Sequence, residues 1–401
     1  MKRLLLIALL AAVVFDGCGN AEPETDLGRV VAVVPGESDP GAAGQTETTI
    51  GVSTTKSVAG RCPIDEVCEI EVPLEAIELE ATPSSIFLAG DRAWLAAPDA
   101  QALIEVDTVA AAVVQTLAIE APTVDVVSGM GSLWAVTYDI SFGPLLRIDP
   151  TDGTVTATID TFADQPQAVA ALDNSLWAVV DGYGRAIRID AGSNAITDTV
   201  GGTDYGGGRG EVAVVADGAA LWVLDESTGS VERIDDATRT IALTVGDLGY
   251  LEEPDGEFVS ILADGPKALA ATGEGIWVLS DVPYPDGLAN AVGGGALFLL
   301  DAETGTVLNR IDLILEPAFG RPGLAVSNGA AWYIDSATGY PVRVDLDTER
   351  QVILRLDNGG VSGVVTDGTM TWFAVESLFD SDLLVGVAES AAVAASSALD
   401  E

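Results

Sequence analysis

The chain contains seven tryptophans, and each lies in a similar short sequence motif. Examples of that motif are GSLWAV at 131–136, NSLWAV at 174–179 and EGIWVL at 274–279. Successive tryptophans are separated by 40, 43, 45, 55, 55 and 40 residues. A four-stranded β-propeller blade takes roughly 40–45 residues. The spacing therefore predicts seven structural repeats, marked by Trp94, Trp134, Trp177, Trp222, Trp277, Trp332 and Trp372.

Each repeat divides into four short apolar segments joined by small polar turns. In the second repeat, strands A to D are predicted at 124–127, 133–137, 145–149 and 155–159, with the turn DPTDG between C and D. Such segments are typical of antiparallel strands. A four-stranded unit of this kind buries its faces by stacking radially against its neighbours. We therefore predict an all-β fold, a seven-bladed β-propeller with four antiparallel strands per blade.

The last repeat supplies only three clear strands, at 362–366, 371–375 and 383–387, because 391–399 is rich in Ala and Ser. A surplus strand at 77–80 precedes the first repeat, in a phrase, LEAIELEATP, that parallels TLAIEAPT at 116–123. We expect this N-terminal strand to complete the last blade and close the ring. No convincing amphipathic helix is expected after the N-terminal apolar segment.

The N-terminus has the pattern of an export signal. Lys2 and Arg3 precede the apolar stretch 4–15, which is shorter than the roughly 20 residues of a membrane span and fits a signal peptide. With Gly17-Cys18 directly after it, the segment resembles a bacterial lipoprotein signal, although Phe15 and Asp16 depart from the usual pattern. The resemblance implies a signal peptide at 1–17 and a lipid on Cys18. Simple secretion is the alternative.

The remaining chain divides into a tether and a folded part. Residues 18–60 are rich in small, polar and acidic residues, so we expect a flexible acidic tether, followed by the propeller at 61–401. Cys62 and Cys68 are the other two cysteines. In an oxidising compartment they are expected to form a disulfide that pins the start of the closing strand. The predicted location is the cell envelope, outside the cytoplasmic membrane, with membrane contact only through the N-terminal lipid.

Charge and composition exclude several functions. The formal net charge is −44, which repels phosphate backbones and argues against nucleic-acid binding. The chain has no histidine, which removes a Ser-His-Asp triad and histidine ligation of zinc or haem. No cofactor is expected. Ca²⁺ or Mg²⁺ is the one cation class left open, without a recognisable ligand spacing.

Three recurring elements carry a resemblance to known repeats. These are Leu133–Val136, Arg147–Asp149 and Gly153–Val155, and the second recurs at 188–190 and 233–235. Together they resemble YVTN/NHL-type propeller repeats and the virginiamycin B lyase-like superfamily, over roughly 74–388. The resemblance implies the fold. Lyases of that superfamily depend on a catalytic histidine and a magnesium site, so their activity does not carry over to a chain without histidine.

The repeated Trp and Arg side chains have structural explanations. A Trp at one position of every strand B is expected to pack between blades rather than to bind sugars. Arginines recur on the predicted C strands, and we expect them to pair with acids on neighbouring strands rather than to form an anion-binding ring. They are Arg147, Arg188, Arg233 and Arg343.

Loop length indicates one working face. Every long insertion falls in a D–A or B–C connection, and these connections share one face of a propeller. The insertions hold aromatic and Arg side chains suited to a partner, although the aromatics alternatively pin their own loops. The candidates are Tyr138, Phe142, Tyr205, Arg209, Tyr250, Tyr284, Phe319 and Arg321.

The first residues of the A strands are expected to surround the channel mouth on that face. The candidate ligand-binding residues there are Asp125, Gln167, Glu211 and Lys267, joined in the same ring by Ser84, Thr123 and Ser362. A small polar ligand fits such a mouth, and a water-filled mouth is the alternative.

These features favour a monomeric, non-enzymatic protein that binds a protein or a small polar ligand through its long-loop face. No catalytic residues are assigned. The alternative is a cation-dependent hydrolase or lyase that uses mouth carboxylates such as Asp125 and Glu211.

Overall fold

The computed structural model describes residues 67–138, 143–161, 166–172, 174–180, 185–201, 212–225, 229–246, 248, 265–282, 294–315, 317, 323–327, 329–356, 359–377 and 381–400. All of them belong to the compact unit Ile50–Glu401. The predicted signal peptide, tether, Cys18 and Cys62 lie outside the described residues.

Two strands come before the first blade, β1 (Cys68–Ile70) and β2 (Leu74–Leu79). Blades 1 to 3 follow in chain order, each strand hydrogen-bonded to the next. Blade 1 contains β3 (Ser85–Ala89), β4 (Arg92–Ala97), β5 (Ala102–Asp107) and β6 (Ala112–Ala118). Blade 2 contains β7 (Thr123–Gly129), β8 (Ser132–Thr137), β9 (Leu145–Ile148) and β10 (Val155–Ile159). Blade 3 contains β11 (Pro166–Leu172), β12 (Ser175–Val180), β13 (Arg185–Asp190) and β14 (Ala195–Val200).

Blades 4 to 7 repeat the same order. Blade 4 contains β15 (Val212–Asp217), β16 (Ala220–Asp225), β17 (Ser230–Asp235) and β18 (Thr240–Val245). Blade 5 contains β19 (Pro266–Thr272), β20 (Gly275–Val282), β21 (Gly294–Leu300) and β22 (Val307–Leu313). Blade 6 contains β23 (Ala325–Ser327), β24 (Ala330–Ile334), β25 (Pro341–Asp345) and β26 (Gln351–Leu354). Blade 7 contains β27 (Gly359–Thr366), β28 (Met370–Ser377) and β29 (Asp382–Ala388), with β2 as its outer strand.

The seven-bladed, four-stranded propeller predicted from the tryptophan spacing is thus confirmed. Every B strand carries one of the seven tryptophans, and each of these side chains is buried. B strands such as β8 and β12 are buried along their whole length, whereas D strands such as β14 alternate between exposed and covered positions. This difference explains the sequence pattern, because inner strands need apolar residues on both faces and outer strands on one.

The core consists of seven apolar clusters, and each contains one tryptophan and spans two neighbouring blades. Trp134 of blade 2 packs with Leu176 and Ile187 of blade 3. Trp372 of blade 7 packs with Leu95 and Ile104 of blade 1, so the last and first blades share a cluster like the others. The indoles therefore fill the spaces between blades, as the sequence analysis expected.

Polar contacts join neighbouring blades beside these indoles. In blade 3, Ser175 Oγ, Trp177 Nε1 and Arg188 Nε all donate to Asp236 Oδ1 of blade 4, at 3.0, 2.7 and 2.9 Å. In blade 6, Trp332 Nε1 donates to Glu389 Oε1 at 2.6 Å, and Glu389 follows β29 of blade 7. The acceptors thus lie on the next blade around the ring.

The repeated arginines have different partners, so the expectation of acid pairing holds for only some of them. Arg343 Nε lies 3.5 Å from Glu389 Oε2, which is an acid on the next blade. Arg147 instead donates to the Ala191 carbonyl at 2.6 Å and to Asn194 Oδ1 at 3.0 Å, and its guanidinium lies 4.9 Å from the Trp134 ring centroid. A carbonyl and an amide replace the carboxylate there because the turn of blade 3 presents them.

The chain before blade 1 touches two blades. β2 pairs antiparallel with β29, from Leu74 opposite Val387 to Leu79 opposite Asp382. β1 pairs parallel with β26, so the sheet of blade 6 has five strands. Cys68 is disulfide-bonded and lies in β1. β1 belongs to the sheet of the neighbouring blade, and Cys62 lies outside the described residues, so the expectation that a Cys62–Cys68 loop pins the start of the closing strand stays a prediction. That β2 holds the ring closed stays a prediction.

The C-terminus forms a helix that the sequence analysis did not expect. α1 spans Glu389–Ser397 and is followed by a short 3-10 turn at Ala398–Asp400. Four alanines between 389 and 397 favour the helix, and the outer position of blade 7 is already occupied by β2. Arg350 Nη1 donates to the Ser396 carbonyl at 3.2 Å and ties the helix to blade 6.

We predict that the Asp236 contact stabilises the ring in a pH-dependent way. Burial raises the pKa of Asp236, but the hydrogen bonds from Arg188, Trp177 and Ser175 outweigh it and hold the pKa below its ordinary value of 3.8. A carboxyl with a lowered folded-state pKa stabilises the fold above its unfolded pKa, and this contribution is lost as the pH falls through the folded value.

Asp236→Asn is therefore expected to lower the free energy of unfolding at pH 7 by about 1–3 kcal/mol. The difference in the free energy of unfolding between the variant and the unsubstituted chain should shrink below about pH 4, which is roughly the pKa of an aspartate in an unfolded chain. Denaturant unfolding of both chains at several pH values measures this difference. Glu303→Gln, at an exposed turn of blade 5, is the control and should differ little at any pH. A pH-independent difference for Asp236→Asn would refute the account.

Candidate functional site

A central channel of about 560 Å³ runs along the innermost strands of the blades. All the A strands except β23 contribute to its wall, and blade 6 contributes Gly323 and Leu324 just before that strand. Much of the wall is apolar, with side chains such as Ile86, Phe87 and Val126. Asp125, Gln167 and Lys267 also line it, so three of the four predicted mouth residues face the same cavity. The fourth, Glu211, lies outside the described residues.

A β-bulge near the start of four A strands affects several residues at the channel mouth. In four A strands the pairing with strand B skips one residue near the start of the strand. The skipped residues are Val124, Gln167, Lys267 and Ser362. A β-bulge of this kind turns a side chain away from its regular direction. Gln167, Lys267 and Ser362 could be placed at the mouth from sequence alone, but the bulge could not, because a bulge is a feature of pairing between strands.

Lys267 has an acidic neighbour that the sequence analysis missed. Its Nζ lies 3.5 Å from Asp281 Oδ2, and the two side chains are 2% and 8% exposed. A buried ammonium is costly without a compensating charge, so Asp281 explains how Lys267 is tolerated at the mouth. Asp281 lies at the end of strand B of the same blade. No sequence pattern distinguished it from Asp286, the other acid of its insertion.

Among the described polar residues of the channel wall, Asp125, Gln167 and Ser128 are half-buried. Asp125 Oδ1 accepts a hydrogen bond from the Val126 backbone N–H at 3.0 Å, which orients the carboxylate. Ser85 lies at the matching place on blade 1. It is buried, and its Oγ has no hydrogen-bond partner in the described structure. Together, blades 1, 2 and 3 bring a hydroxyl, a carboxylate and an amide to one end of the channel.

Other members of the predicted ring have structural partners. Ser84 Oγ donates to the Val124 carbonyl of blade 2 at 3.2 Å, and Ser362 Oγ donates to the Pro83 carbonyl at 2.7 Å. Thr123 is fully buried, with its Oγ1 near the Ala121 carbonyl at 3.3 Å. These hydroxyls join neighbouring segments at the mouth, so the candidate site consists of Ser85, Asp125, Gln167 and the Lys267–Asp281 pair.

A second cavity of about 470 Å³ lies on the same face, between blades 6, 7 and 1. It begins next to the channel, because it is lined by Ser84 and Ser362 where the channel is lined by Ser85 and Gly363. Among the described residues that line it, the charged ones are Asp99, Asp335 and Glu376, all acidic. We call this cavity the acidic groove.

Most of the predicted partner-binding loop residues lie outside the described part of the chain. They are Phe142, Tyr205, Arg209, Tyr250, Tyr284, Phe319 and Arg321. Tyr138 is described, and its side chain is 54% exposed at the start of the B–C connection of blade 2.

The opposite face consists of short turns that are closed by their own hydrogen bonds. At these C–D turns an aspartate accepts from the backbone N–H two or three residues later, as in Asp190 with Ser193, Asp235 with Thr238 and Asp301 with Thr304, all at 2.7–2.8 Å. The hydroxyl and backbone N–H of Thr304 hold the pKa of Asp301 below its usual value. These carboxylates are engaged locally.

Among the described residues, no group of three or more acidic or cysteine side chains is arranged to hold a metal ion. Within the same part of the chain, no helix is long and apolar enough to cross a membrane.

Comparisons with known proteins support the fold. Neither a protein-family model nor a curated protein sequence matches the chain. Among solved structures, it is similar to hydrazine synthase from Kuenenia stuttgartiensis, with 15% identity, a TM-score of 0.58 and coverage of 79% of this chain and 98% of that one. It is also similar to a chain of the mitotic checkpoint complex, with 12% identity, a TM-score of 0.58 and coverage of 85% and 99%.

A third similar structure is a catalytically inactive variant of virginiamycin B lyase from Staphylococcus aureus with quinupristin. The identity is 13%, the TM-score is 0.57, and the match covers 79% of this chain and 99% of that one. At these identities the similarities establish the β-propeller fold and carry no activity to this chain.

We predict that Lys267 and Asp281 are energetically coupled. Asp281→Asn removes the carboxylate that lies 3.5 Å from the buried ammonium and should lower the free energy of unfolding by roughly 3–5 kcal/mol. Adding Lys267→Met removes the buried charge, so the double variant should regain part of that loss. Denaturant unfolding of the two single variants and the double variant measures the coupling. Strictly additive losses would show that the pair does not interact.

Proposed function

We propose that this chain is a binding protein that takes a ligand or partner on its D–A/B–C face, with the channel mouth at the centre. The main support is that both described cavities have polar lining residues on this face. The acidic groove and the polar end of the channel lie on that face, whereas the described C–D turns of the other face satisfy their carboxylates internally.

The composition of the mouth is suited to recognition. Small-molecule sites are concave, have volumes of roughly 300–1,000 Å³, and combine an apolar lining with a few placed polar groups. The channel, at about 560 Å³, has this character. The acidic groove beside it and Tyr138 extend the surface available to a larger partner.

We further propose that the protein acts outside the cytoplasmic membrane, held by a lipid on Cys18. The support is the N-terminal sequence, in which Lys2 and Arg3 precede an apolar stretch that ends at Gly17-Cys18. The acidic tether at 18–60 would then hold the propeller away from the membrane, with its loop face free to meet a ligand.

A test compares two matched triple variants. The loop-face variant combines Asp99→Asn, Glu376→Gln and Tyr138→Ala, all at exposed positions. The turn-face variant combines Asp152→Asn, Glu303→Gln and Val109→Ala, also at exposed positions. Since an aromatic anchor in an interface is worth about 2 kcal/mol or more, the loop-face variant should lose at least about tenfold in affinity. The turn-face variant should bind normally.

The measurement is titration calorimetry with a ligand or partner recovered on the immobilised full-length chain. Both triple variants should melt close to the unsubstituted chain, because exposed positions contribute little to stability. Loss of binding in the turn-face variant, with binding retained in the loop-face variant, would place the function on the other face.

A further inference from the structure

We infer that the interface between blades 4 and 5 binds a small monovalent anion, of the size of chloride, through the indole N–H of Trp222 and the guanidinium of Arg233. The site lies beside the C–D turn of blade 5, on the short-turn face. It is therefore separate from the proposed binding at the channel mouth and does not depend on it. The equivalent interface between blades 3 and 4 shows how such donors are normally satisfied in this chain.

The donor residues of blades 3 and 4 occupy matching places. Trp177 lies opposite Arg188 where β12 pairs with β13, and Trp222 lies opposite Arg233 where β16 pairs with β17. Both indoles are fully buried between their own blade and the next one. Each blade therefore presents an indole N–H and a guanidinium toward the C–D turn of its neighbour.

The turns that face these donors also correspond. The C–D turn of blade 4 begins at Asp235 and that of blade 5 at Asp301, and each carboxylate accepts from the backbone N–H three residues later. The residue after this aspartate is Asp236 in blade 4 and Ala302 in blade 5. Ala302 therefore stands where the interface between blades 3 and 4 has a second carboxylate.

The two interfaces differ in their hydrogen bonds accordingly. Asp236 Oδ1 accepts from Trp177 Nε1 at 2.7 Å and from Arg188 Nε at 2.9 Å. In the next interface, Trp222 Nε1 and Arg233 Nε are buried and have no hydrogen-bond partner in the described structure. Both groups only donate, and an unsatisfied buried donor is costly. An acceptor brought between blades 4 and 5 satisfies both.

The side chains that replace the acceptors of other blades are apolar. In blade 2, Arg147 Nε donates to Ser132 Oγ, but the matching residue of blade 4 is Ala220. Leu243 and Ala302 pack against the buried indole of blade 4 and offer no side-chain acceptor. The acceptor must therefore come from outside these side chains.

The charge of Arg233 selects an anion over a neutral acceptor. Arg188 interacts with Asp190 of its own blade and with Asp236 of the next blade. Arg233 interacts with Asp235 of its own blade, but the next blade provides only a methyl group. A monovalent anion restores the charge balance of the interface between blades 3 and 4, whereas a water molecule supplies an acceptor without charge. The anion must be small, because it takes the place of one carboxyl group.

The test replaces sodium gluconate stepwise by sodium chloride on the full-length chain. The net charge of −44 repels anions at long range, so the ionic strength is held at about 0.15 M throughout. Gluconate is too large for the site and serves as the reference anion. NMR follows the indole N–H resonances of the seven tryptophans, and Trp222→Phe identifies that of Trp222. This resonance should shift saturably with chloride, and the chain should melt about one to three degrees higher in chloride.

Ala302→Asp tests the site most directly, because it gives the turn of blade 5 the carboxylate that blade 4 has. This variant should melt higher than the unsubstituted chain in gluconate and should lose the saturable shift. Ala191→Asp is the matched control at the same turn position of blade 3, where the Ala191 carbonyl already accepts from Arg147, and it should keep the shift. Asp236→Ala should have the reverse effect and create a second chloride-dependent shift, at the indole of Trp177.

Arg233→Gln provides the same test if Ala302→Asp does not fold. It removes the positive charge at a half-buried position and should also abolish the shift. The absence of any chloride-dependent shift of the Trp222 resonance, as expected if a water molecule is the acceptor, would overturn the inference. A shift that persists in Ala302→Asp or in Arg233→Gln would overturn it as well.

Discussion

The packing of an indole between each pair of neighbouring blades is the interaction on which the rest of the structure depends. No blade buries its faces alone, so each is stable only against two neighbours. Seven tryptophans supply the largest buried side chains of these interfaces, and the hydrogen bonds to Asp236 and Glu389 fix two of the indoles to the next blade. Because the interfaces form a ring, weakening any one of them affects the whole structure.

The indole layers and the proposed binding face occupy different parts of the ring. The tryptophan layers and the aspartate turns occupy the blade interiors and the short-turn face. The channel mouth and the acidic groove lie on the other face, at the ends of strands that the layers hold in place. The A strands connect these two regions, since their inner residues line the channel, while a bulge near the start of several A strands redirects residues such as Gln167 and Lys267.

The fold could be predicted from the sequence because its signal is periodic. The Trp motif and the Asp-containing turns recur in nearly every blade, and each recurrence reinforces the same strand assignment. The features that could not be predicted from the sequence each occur only once in the chain, so no repeat reveals them. The parallel strand at Cys68–Ile70, the helix at Glu389–Ser397 and the approach of Asp281 to Lys267 all depend on contacts between segments distant in sequence or in different strands. The candidate site includes features of this kind. The sequence therefore placed Asp125, Gln167 and Lys267 at the channel, but it did not identify the residues that they contact.

We propose that the strand preceding blade 1 closes the ring. β2 lies at the outer edge of blade 7, and its buried Ile77 and Leu79 join the cluster of Trp372 with blade 1. The most direct test is the thermal unfolding of a chain that begins at residue 81, compared with one that begins at residue 61 and keeps the strand. If β2 closes the ring, the shorter chain should lose its cooperative transition, because blades 7 and 1 lose a shared apolar layer. A melting temperature within about two degrees of the longer chain, equivalent to less than roughly 1 kcal/mol, would contradict it.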